Sequence, residues 1–178
     1  MKTTRRSGEW ISVTEHARVL GIDPGTRIAG YAVIDFNARG DSTLIDAGVL
    51  RLSATAPLAA RVRQLFDDVT ALLQEHSPTH MALEAVFSHA DHARTAIQMA
   101  HARGVVLLAA ELRGITVAEL PPAEVKKALT GNGRATKPQM QAAAMVQCGL
   151  TTMPEPSDVA DAIGIALCGG RRLRGVAS

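Results

Sequence analysis

With 178 residues, of which 47% are hydrophobic, the chain can bury the core of one domain without disulfide or metal staples. Its net charge of +2 does not by itself indicate a polyanionic partner, and its longest nearly unbroken apolar run, Gly104 to Ala110, is far shorter than the roughly 20 residues that span a bilayer. With no signal-peptide core near the N-terminus, these features argue against a membrane protein and predict a cytoplasmic one.

The first third of the sequence predicts an arm followed by three strands. Residues 1–17 are basic and polar, and we expect them to form an arm outside a folded domain that begins near Arg18. Strand-like runs follow at Val19–Asp23, Gly30–Phe36 and Leu44–Leu52, separated by a Pro-Gly turn and a short polar loop. Connections this short favour antiparallel neighbours.

The rest of the chain alternates between helical and strand-like patterns. Apolar residues recur every three or four positions in Pro57–Glu75, which predicts a helix. A strand at Met81–Phe87, a helix at Ala93–Leu112 and a strand at Ile115–Glu119 predict a strand-helix-strand crossover. Three further helices are predicted at Pro122–Leu129, at Lys137–Cys148 and from Ser157, a candidate N-cap, to about Cys168. The pattern therefore predicts an α/β fold with a five-stranded mixed sheet flanked by helices.

Two acidic residues, Asp23 and Glu84, lie in predicted strands at positions where a charged side chain is unusual. Asp23 ends the first strand before Pro24-Gly25, so we expect its side chain at a strand end, where open α/β sheets commonly carry their sites. Glu84 lies within the apolar run Met81–Phe87, where a carboxylate is costly to desolvate unless it is paired or bound to a metal. Each has an ordinary alternative, because Asp-Pro-Gly is a common turn and Glu84 could lie on an open sheet face or pair with an arginine.

A second acidic pair begins the last predicted helix. Asp158 and Asp161 are three residues apart, so they share one face of the first turn, where they could simply complement the helix dipole. The helix continues as an apolar segment, and we expect it to pack on the sheet and bring both carboxylates beside the strand ends. Four carboxylates so arranged could hold two Mg²⁺ or Mn²⁺ ions about 3.5 to 4 Å apart for hydrolysis of a phosphodiester.

Five short motifs follow one another along the chain: Gly21-Ile-Asp-Pro-Gly-Thr-Arg, Gly30-Tyr-Ala-Val-Ile, Leu83-Glu-Ala-Val-Phe, Ala102-Arg-Gly-Val and Asp158-Val-Ala-Asp-Ala. In this order they resemble the RuvC family of bacterial Holliday-junction resolvases, over about residues 18–170. The resemblance implies an RNase H-like nuclease domain at residues 18–178. It also implies a homodimer that resolves four-way DNA junctions by paired symmetrical nicks in recombination and repair. A branch-migration complex of RuvA and RuvB is a further partner implied by the resemblance alone.

The resemblance also assigns roles to individual residues. The family's metal-binding carboxylates are matched by Asp23, Glu84, Asp158 and Asp161, with Mg²⁺ as the expected cofactor and Mn²⁺ as a substitute. Phe87 matches an aromatic that wedges against bases at the crossover, although a core aromatic at a strand end is an equal alternative. Lys126 and Lys137 match lysines that contact DNA phosphates, whereas Arg134 and Arg171 are interpreted as parts of a solvated surface.

The sequence departs from the family pattern in the arm, at Ala85, and in the loop after Phe87, which reads Ser-His-Ala-Asp-His instead of carrying lysines. His89 and His92 in that loop lack the further ligands of a zinc site. Small residues such as Ala102 and Gly104 would let another helix approach the predicted helix Ala93–Leu112, which suits a dimer or packing on its own sheet.

Three alternatives remain open from the residues alone. The Asp-Pro-Gly-Thr turn also resembles the phosphate-binding turn of actin-like ATPases and sugar kinases, which need two such lobes. The same carboxylates would serve an RNase H-like nuclease that acts on RNA, and a DNA-binding module without catalysis would bind junctions without cutting them.

Overall fold

The computed structural model describes residues 16–85, 93–173 and 175. Its elements are β1 (Ala17–Asp23), β2 (Ile28–Phe36), β3 (Ser42–Arg51), α1 (Leu58–His76), β4 (His80–Glu84), α2 (Ala93–Leu112), β5 (Thr116–Leu120), α3 (Pro122–Thr130), α4 (Lys137–Gln147) and α5 (Ser157–Leu173). Every predicted helix and strand is present. Apart from its last two residues, the predicted arm lies outside the described residues, and Ala17 already belongs to β1.

The five strands form one mixed sheet in the order β3-β2-β1-β4-β5. The strands joined by short loops, β1 with β2 and β2 with β3, are antiparallel, as predicted. The strands that flank the α2 crossover, β4 and β5, are parallel, and β1 also pairs with β4 in parallel. The predicted α/β fold with a five-stranded mixed sheet is therefore confirmed.

Helices cover both faces of the sheet because its strands alternate apolar side chains between two cores. On one face Leu20 and Leu83 pack with residues of α1 and α2. On the other face Val19 and Ala82 pack with residues of α3, α4 and α5. The helix α5 lies directly on β1 and β2, and its residues from Val159 to Gly170, apart from Asp161, are buried. The prediction that this apolar helix packs on the sheet is confirmed.

The strand predicted at Met81–Phe87 is shorter in the structure. It ends at Glu84, and Ala85 still donates its N–H to the Leu120 carbonyl of β5 at 2.8 Å. Hydrophobicity alone could not locate this end, because Ala85 and Val86 continue the apolar run. Glu84 therefore lies at the end of a strand rather than in its middle.

Among the helices that the structure describes, none combines the length and the apolar character that a membrane span requires.

Candidate active site

Asp23 and Glu84 end two neighbouring parallel strands at the same edge of the sheet. The register pairs Ile22 of β1 with Leu83 of β4, so the next residue on each strand is an acid. Adjacent strands lie about 4.8 Å apart. Since side chains alternate along a strand, Asp23 shares the face of Val19 and Glu84 shares the face of Ala82, which is the face covered by α5. The two carboxylates therefore project side by side toward that helix.

Two glycines let α5 approach the sheet closely enough to bring its own carboxylates to the same place. A Cβ atom on Gly30, the residue that pairs with Asp23 across β1 and β2, would lie 2.1 Å from the backbone oxygen of Asp158. A Cβ atom on Gly21 would lie 2.5 Å from the backbone nitrogen of Ala166. The backbone of α5 thus rests against the backbone of both strands, which places Asp158 beside Asp23.

The charges of the four acids act on one another. The pKa of Asp23 is raised to about 7, first by burial and then by the charges of Asp161, Glu84 and Asp158. Burial followed by the charge of Asp161 raises the pKa of Glu84, and burial raises the pKa of Asp161, with Asp158 adding to it. The structure therefore brings together all four acids predicted from the sequence, in a partly buried cluster that disfavours its own full ionisation.

Two lysines counter this charge. Lys137 lowers the pKa of Asp23 and Asp161, and Lys126 lowers the pKa of Glu84 and Asp161. Lys137 begins α4 after a Thr136 capping box, and its ammonium donates to the Ser157 hydroxyl at the start of α5, 3.3 Å away. The lysines predicted as phosphate contacts thus lie at the rim of the acidic cluster.

The donors of the cluster are all oxygen atoms, which is the chemistry that Mg²⁺ and Mn²⁺ prefer. Within the described residues, no three His, Cys, Asp or Glu side chains are arranged so that they could hold a metal ion as they stand. Like charges in one cluster repel one another, and a divalent cation placed between them would offset that repulsion. The residues therefore fit a hard divalent cation in donor type and charge, and binding would have to draw them together.

Sequence reasoning missed two arginines that hold the surrounding elements. Arg171 donates to the Ala128 carbonyl and, at 2.7 Å, to Gln147 Oε1, so it ties the ends of α3 and α4 to α5. Arg171 is only partly buried, so its interpretation as part of a solvated surface omits these bonds but is not contradicted by its exposure. Arg103 is buried and donates to the backbone oxygen of Glu84 at 2.7 Å. Arg103 lies in the motif Ala102-Arg-Gly-Val, but no spacing rule pairs it with Glu84.

Phe87, which was predicted to wedge against bases at the crossover, lies outside the described residues.

Comparisons with known proteins agree with this fold. A family model described as "Crossover junction endodeoxyribonuclease RuvC" matches residues 19–169. Two proteins of that name, from Rhodopirellula baltica and Gloeobacter violaceus, are 46% and 42% identical to the chain over 152 residues. These alignments cover 85% of this chain and 84% and 87% of the relatives. A structure of Thermus thermophilus RuvC in complex with Holliday junction substrate superimposes with a TM-score of 0.82 at 32% identity, covering 91% of this chain and 98% of the other.

Proposed function

The chain belongs to the RuvC family of crossover junction endodeoxyribonucleases, and from this premise we propose that it resolves four-way DNA junctions in recombination and repair. The observation that carries the proposal is the meeting of four carboxylates from two strand ends and one helix, with two lysines at their rim. The junction substrate of the T. thermophilus relative supports the choice of DNA over RNA. The cytoplasm is the proposed place of action.

Asp23, Glu84, Asp158 and Asp161 are the proposed metal ligands. Nucleases of this family depend on a metal, and we propose that the metal here is divalent, with two Mg²⁺ ions per site and Mn²⁺ as a substitute. When bound, such ions lower the pKa of an attacking water and stabilise charge on the leaving 3′ oxygen. The raised pKa of Asp23 means that this carboxyl must lose its proton before it can serve as a ligand, so metal and proton compete for it.

The chain's own residues orient the DNA around this cluster. Asp23 and Glu84 are fixed by the sheet, since each ends a strand that is paired in register with its neighbours. Lys126 and Lys137 are positioned on α3 and α4, where their ammonium groups can contact the phosphates that flank the scissile bond. Phe87 follows Glu84 by three residues, so at most about 10 Å of chain separates it from the cluster, and its role as a wedge between bases remains a prediction.

We also propose that the protein acts as a homodimer through the outward face of α2. Ile97, Leu108 and Leu112 are 60%, 51% and 67% exposed, and they lie on one side of the helix together with Gly104, whose missing side chain faces open space. Large apolar side chains grouped on one exposed helix face favour a contact with another chain. Gly104 would let the backbone of a second copy come close at the centre of the stripe, and Ala102 by contrast packs into the chain's own core.

The dimer proposal has a direct test. Leu108→Glu places a charge in the stripe, and light scattering should then find a monomer that no longer cuts both strands of a junction in one encounter. Val146→Glu is the matched control, because Val146 is 73% exposed on α4 and should leave the dimer intact. A dimer that survives Leu108→Glu would contradict the proposed interface. Contacts with RuvA and RuvB rest on the family alone, and no residue is assigned to them.

The experiment that tests the function is incubation of the purified protein with end-labelled substrates in EDTA, Mg²⁺ or Mn²⁺. The substrates are a four-way DNA junction, a linear duplex of the same sequence and an RNA duplex. We expect symmetrical, metal-dependent nicks with 5′-phosphate ends on the junction alone. Cleavage of RNA alone would favour an RNA nuclease, and binding without any cleavage would favour a DNA-binding module.

A further inference from the structure

One guanidinium connects three elements behind the acidic cluster. Arg103 of α2 is the one charged residue among the described residues that is buried, with 9% of its surface exposed. Its Nη1 donates to the backbone oxygen of Glu84 at 2.7 Å. Its Nη2 lies 2.6 Å from Glu119 Oε2 of β5, an ion pair whose angles are not those of a hydrogen bond. Burying a guanidinium is costly unless it is paired, so this placement needs a reason.

The Glu84 carbonyl lacks the partner that a longer strand would give it. Backbone groups of successive strand residues point to opposite neighbours, and the Ala85 N–H is directed to Leu120 of β5. The Glu84 carbonyl is therefore directed toward β1, where Asp23 is followed by Pro24, which has no N–H to donate. Arg103 supplies the missing donor, and the carbonyl is held at the point where β4 leaves the sheet.

Arg103 reaches this carbonyl from the face opposite to the carboxylates. Its neighbours Ala102 and Val106 pack in the core shared with α1, whereas the side chain of Glu84 points to the face of α5. Arg103 therefore acts on the backbone of Glu84 and leaves the negative charge of its carboxylate available to a cation.

We propose that Arg103 is a positioning residue, which fixes the end of β4 and so holds the Glu84 carboxylate where it can bind a metal ion. This inference rests on the proposed function, since it assumes that Glu84 is a metal ligand. The same bond joins the site to α2, because Arg103 faces inward next to Gly104, which faces outward in the proposed dimer stripe. The helix α2, which would contact the second copy, is thus bonded to the end of β4, which carries the proposed metal ligand Glu84.

Three variants separate this role from plain stabilisation. Arg103→Met removes both contacts, and Arg103→Lys keeps a cation with a single donor group. Glu119→Gln is the matched control, because it removes the ion pair but leaves the bond from Arg103 to Glu84 in place. Each dimeric full-length variant is measured for Mn²⁺ affinity by calorimetry, for melting temperature in EDTA, for junction affinity in EDTA, and for the Mg²⁺ concentration that gives half-maximal nicking.

We expect Arg103→Met to weaken Mn²⁺ binding and raise the Mg²⁺ requirement by about 10-fold or more, as loss of an outer partner of a metal ligand commonly does. Junction affinity in EDTA should stay unchanged, Arg103→Lys should be intermediate, and Glu119→Gln should bind Mn²⁺ like the wild type. If Arg103→Met does not fold, the Mn²⁺ affinities of Arg103→Lys and Glu119→Gln are compared instead, and the inference requires the weaker binding in Arg103→Lys.

Two results would overturn the inference. One is wild-type Mn²⁺ affinity in a folded Arg103→Met protein, or in Arg103→Lys when Arg103→Met does not fold. The other is an equal loss in Glu119→Gln, which would assign the effect to the ion pair between α2 and β5. A wild-type protein that binds no Mn²⁺ and cuts no junction would instead refute the proposed function itself.

Discussion

Replacing Asp23 by asparagine should stabilise the metal-free protein while it abolishes cleavage. The pKa of Asp23 is raised from 3.8 to about 7, a difference of about 3 units that is worth about 4 kcal/mol. Asparagine keeps the shape of the side chain and removes a charge that is disfavoured first by burial and then by Asp161, Glu84 and Asp158. A partly buried amide without ideal partners costs about 1 to 2 kcal/mol. The expected net gain at pH 8 is therefore about 2 to 3 kcal/mol.

The sign of the pH dependence follows from the direction of the shift. Because folding raises this pKa, the wild-type protein is at no disadvantage below about pH 4, where the carboxyl is protonated in both states. As the pH rises from about 4 to about 7, the carboxyl ionises in the unfolded chain but keeps its proton in the folded protein, so the wild type loses stability relative to Asp23→Asn. The gap between the two should therefore open between about pH 4 and pH 7 and stay constant above pH 8.

The assay is thermal unfolding in EDTA at pH 5 and pH 8. For a chain of this size, 2 to 3 kcal/mol corresponds to a rise in Tm on the order of 5 to 10 °C. Mg²⁺ should raise the Tm of the wild type more than that of Asp23→Asn, because a bound ligand stabilises the state that binds it. Asp67→Asn, on the exposed side of α1, is the matched control. A lower Tm for Asp23→Asn than for the wild type, by the same amount at both pH values, would refute the reasoning.

Three further changes test other parts of the site. Glu84→Gln should abolish cleavage but leave junction binding in EDTA equal or tighter, since it removes a ligand and a negative charge near phosphates; cleavage at the wild-type rate would contradict its role. Gly30→Ala should cost about 1 to 3 kcal/mol in urea unfolding and reduce cleavage in the fraction that stays folded, because the new methyl group meets the backbone of Asp158 at 2.1 Å and must push α5 away. Lys137→Ala should move the acidic limb of the cleavage profile to higher pH, because Lys137 lowers the pKa of Asp23 and Asp161. It should also make the plot of log affinity for the junction against log salt concentration less steep, by about the slope that one phosphate contact contributes. An unchanged pH profile would show that Lys137 does not act on the cluster.

The sequence was sufficient to predict the elements and the four acids because each has a local signal. Asp23 is marked by a strand that ends in Pro-Gly, Glu84 by its apolar surroundings, and the pair on α5 by spacing on an apolar helix. The antiparallel pairs β1–β2 and β2–β3 and the parallel pair β4–β5 followed from the lengths of the connections, whereas the parallel pair β1–β4 did not. These signals depend on the spacing and hydrophobicity of neighbouring residues, which can be read directly from the sequence.

The contacts that assemble the site have no comparable local signal. Gly21 and Gly30 appear in the sequence only as glycines in strands, and nothing local shows that α5 rests on them. The bond from Arg103 to Glu84 joins residues that lie 19 positions apart and involves a backbone oxygen, so no pattern of side chains could predict it. The end of β4 was misplaced for a related reason, because the strand ends where its pairing with β1 ends and not where its hydrophobicity does.

The free energy of burying the apolar side chains of α5, compared with the cost of ionising Asp23, explains why α5 can hold two acids against the sheet. An isolated group of like charges would separate, and in this protein ionising Asp23 alone costs about 4 kcal/mol at high pH. The same helix that carries Asp158 and Asp161 buries Val159, Ile163, Ile165 and Leu167 almost completely, and each such side chain contributes about 1.5 to 3 kcal/mol. Together they contribute about 6 to 12 kcal/mol, which exceeds the cost of ionising Asp23 that burial and the neighbouring charges impose. The hydrophobic face of α5 therefore keeps its acidic end against the strands whether or not a cation is bound, and a metal ion would have to reorganise only side chains.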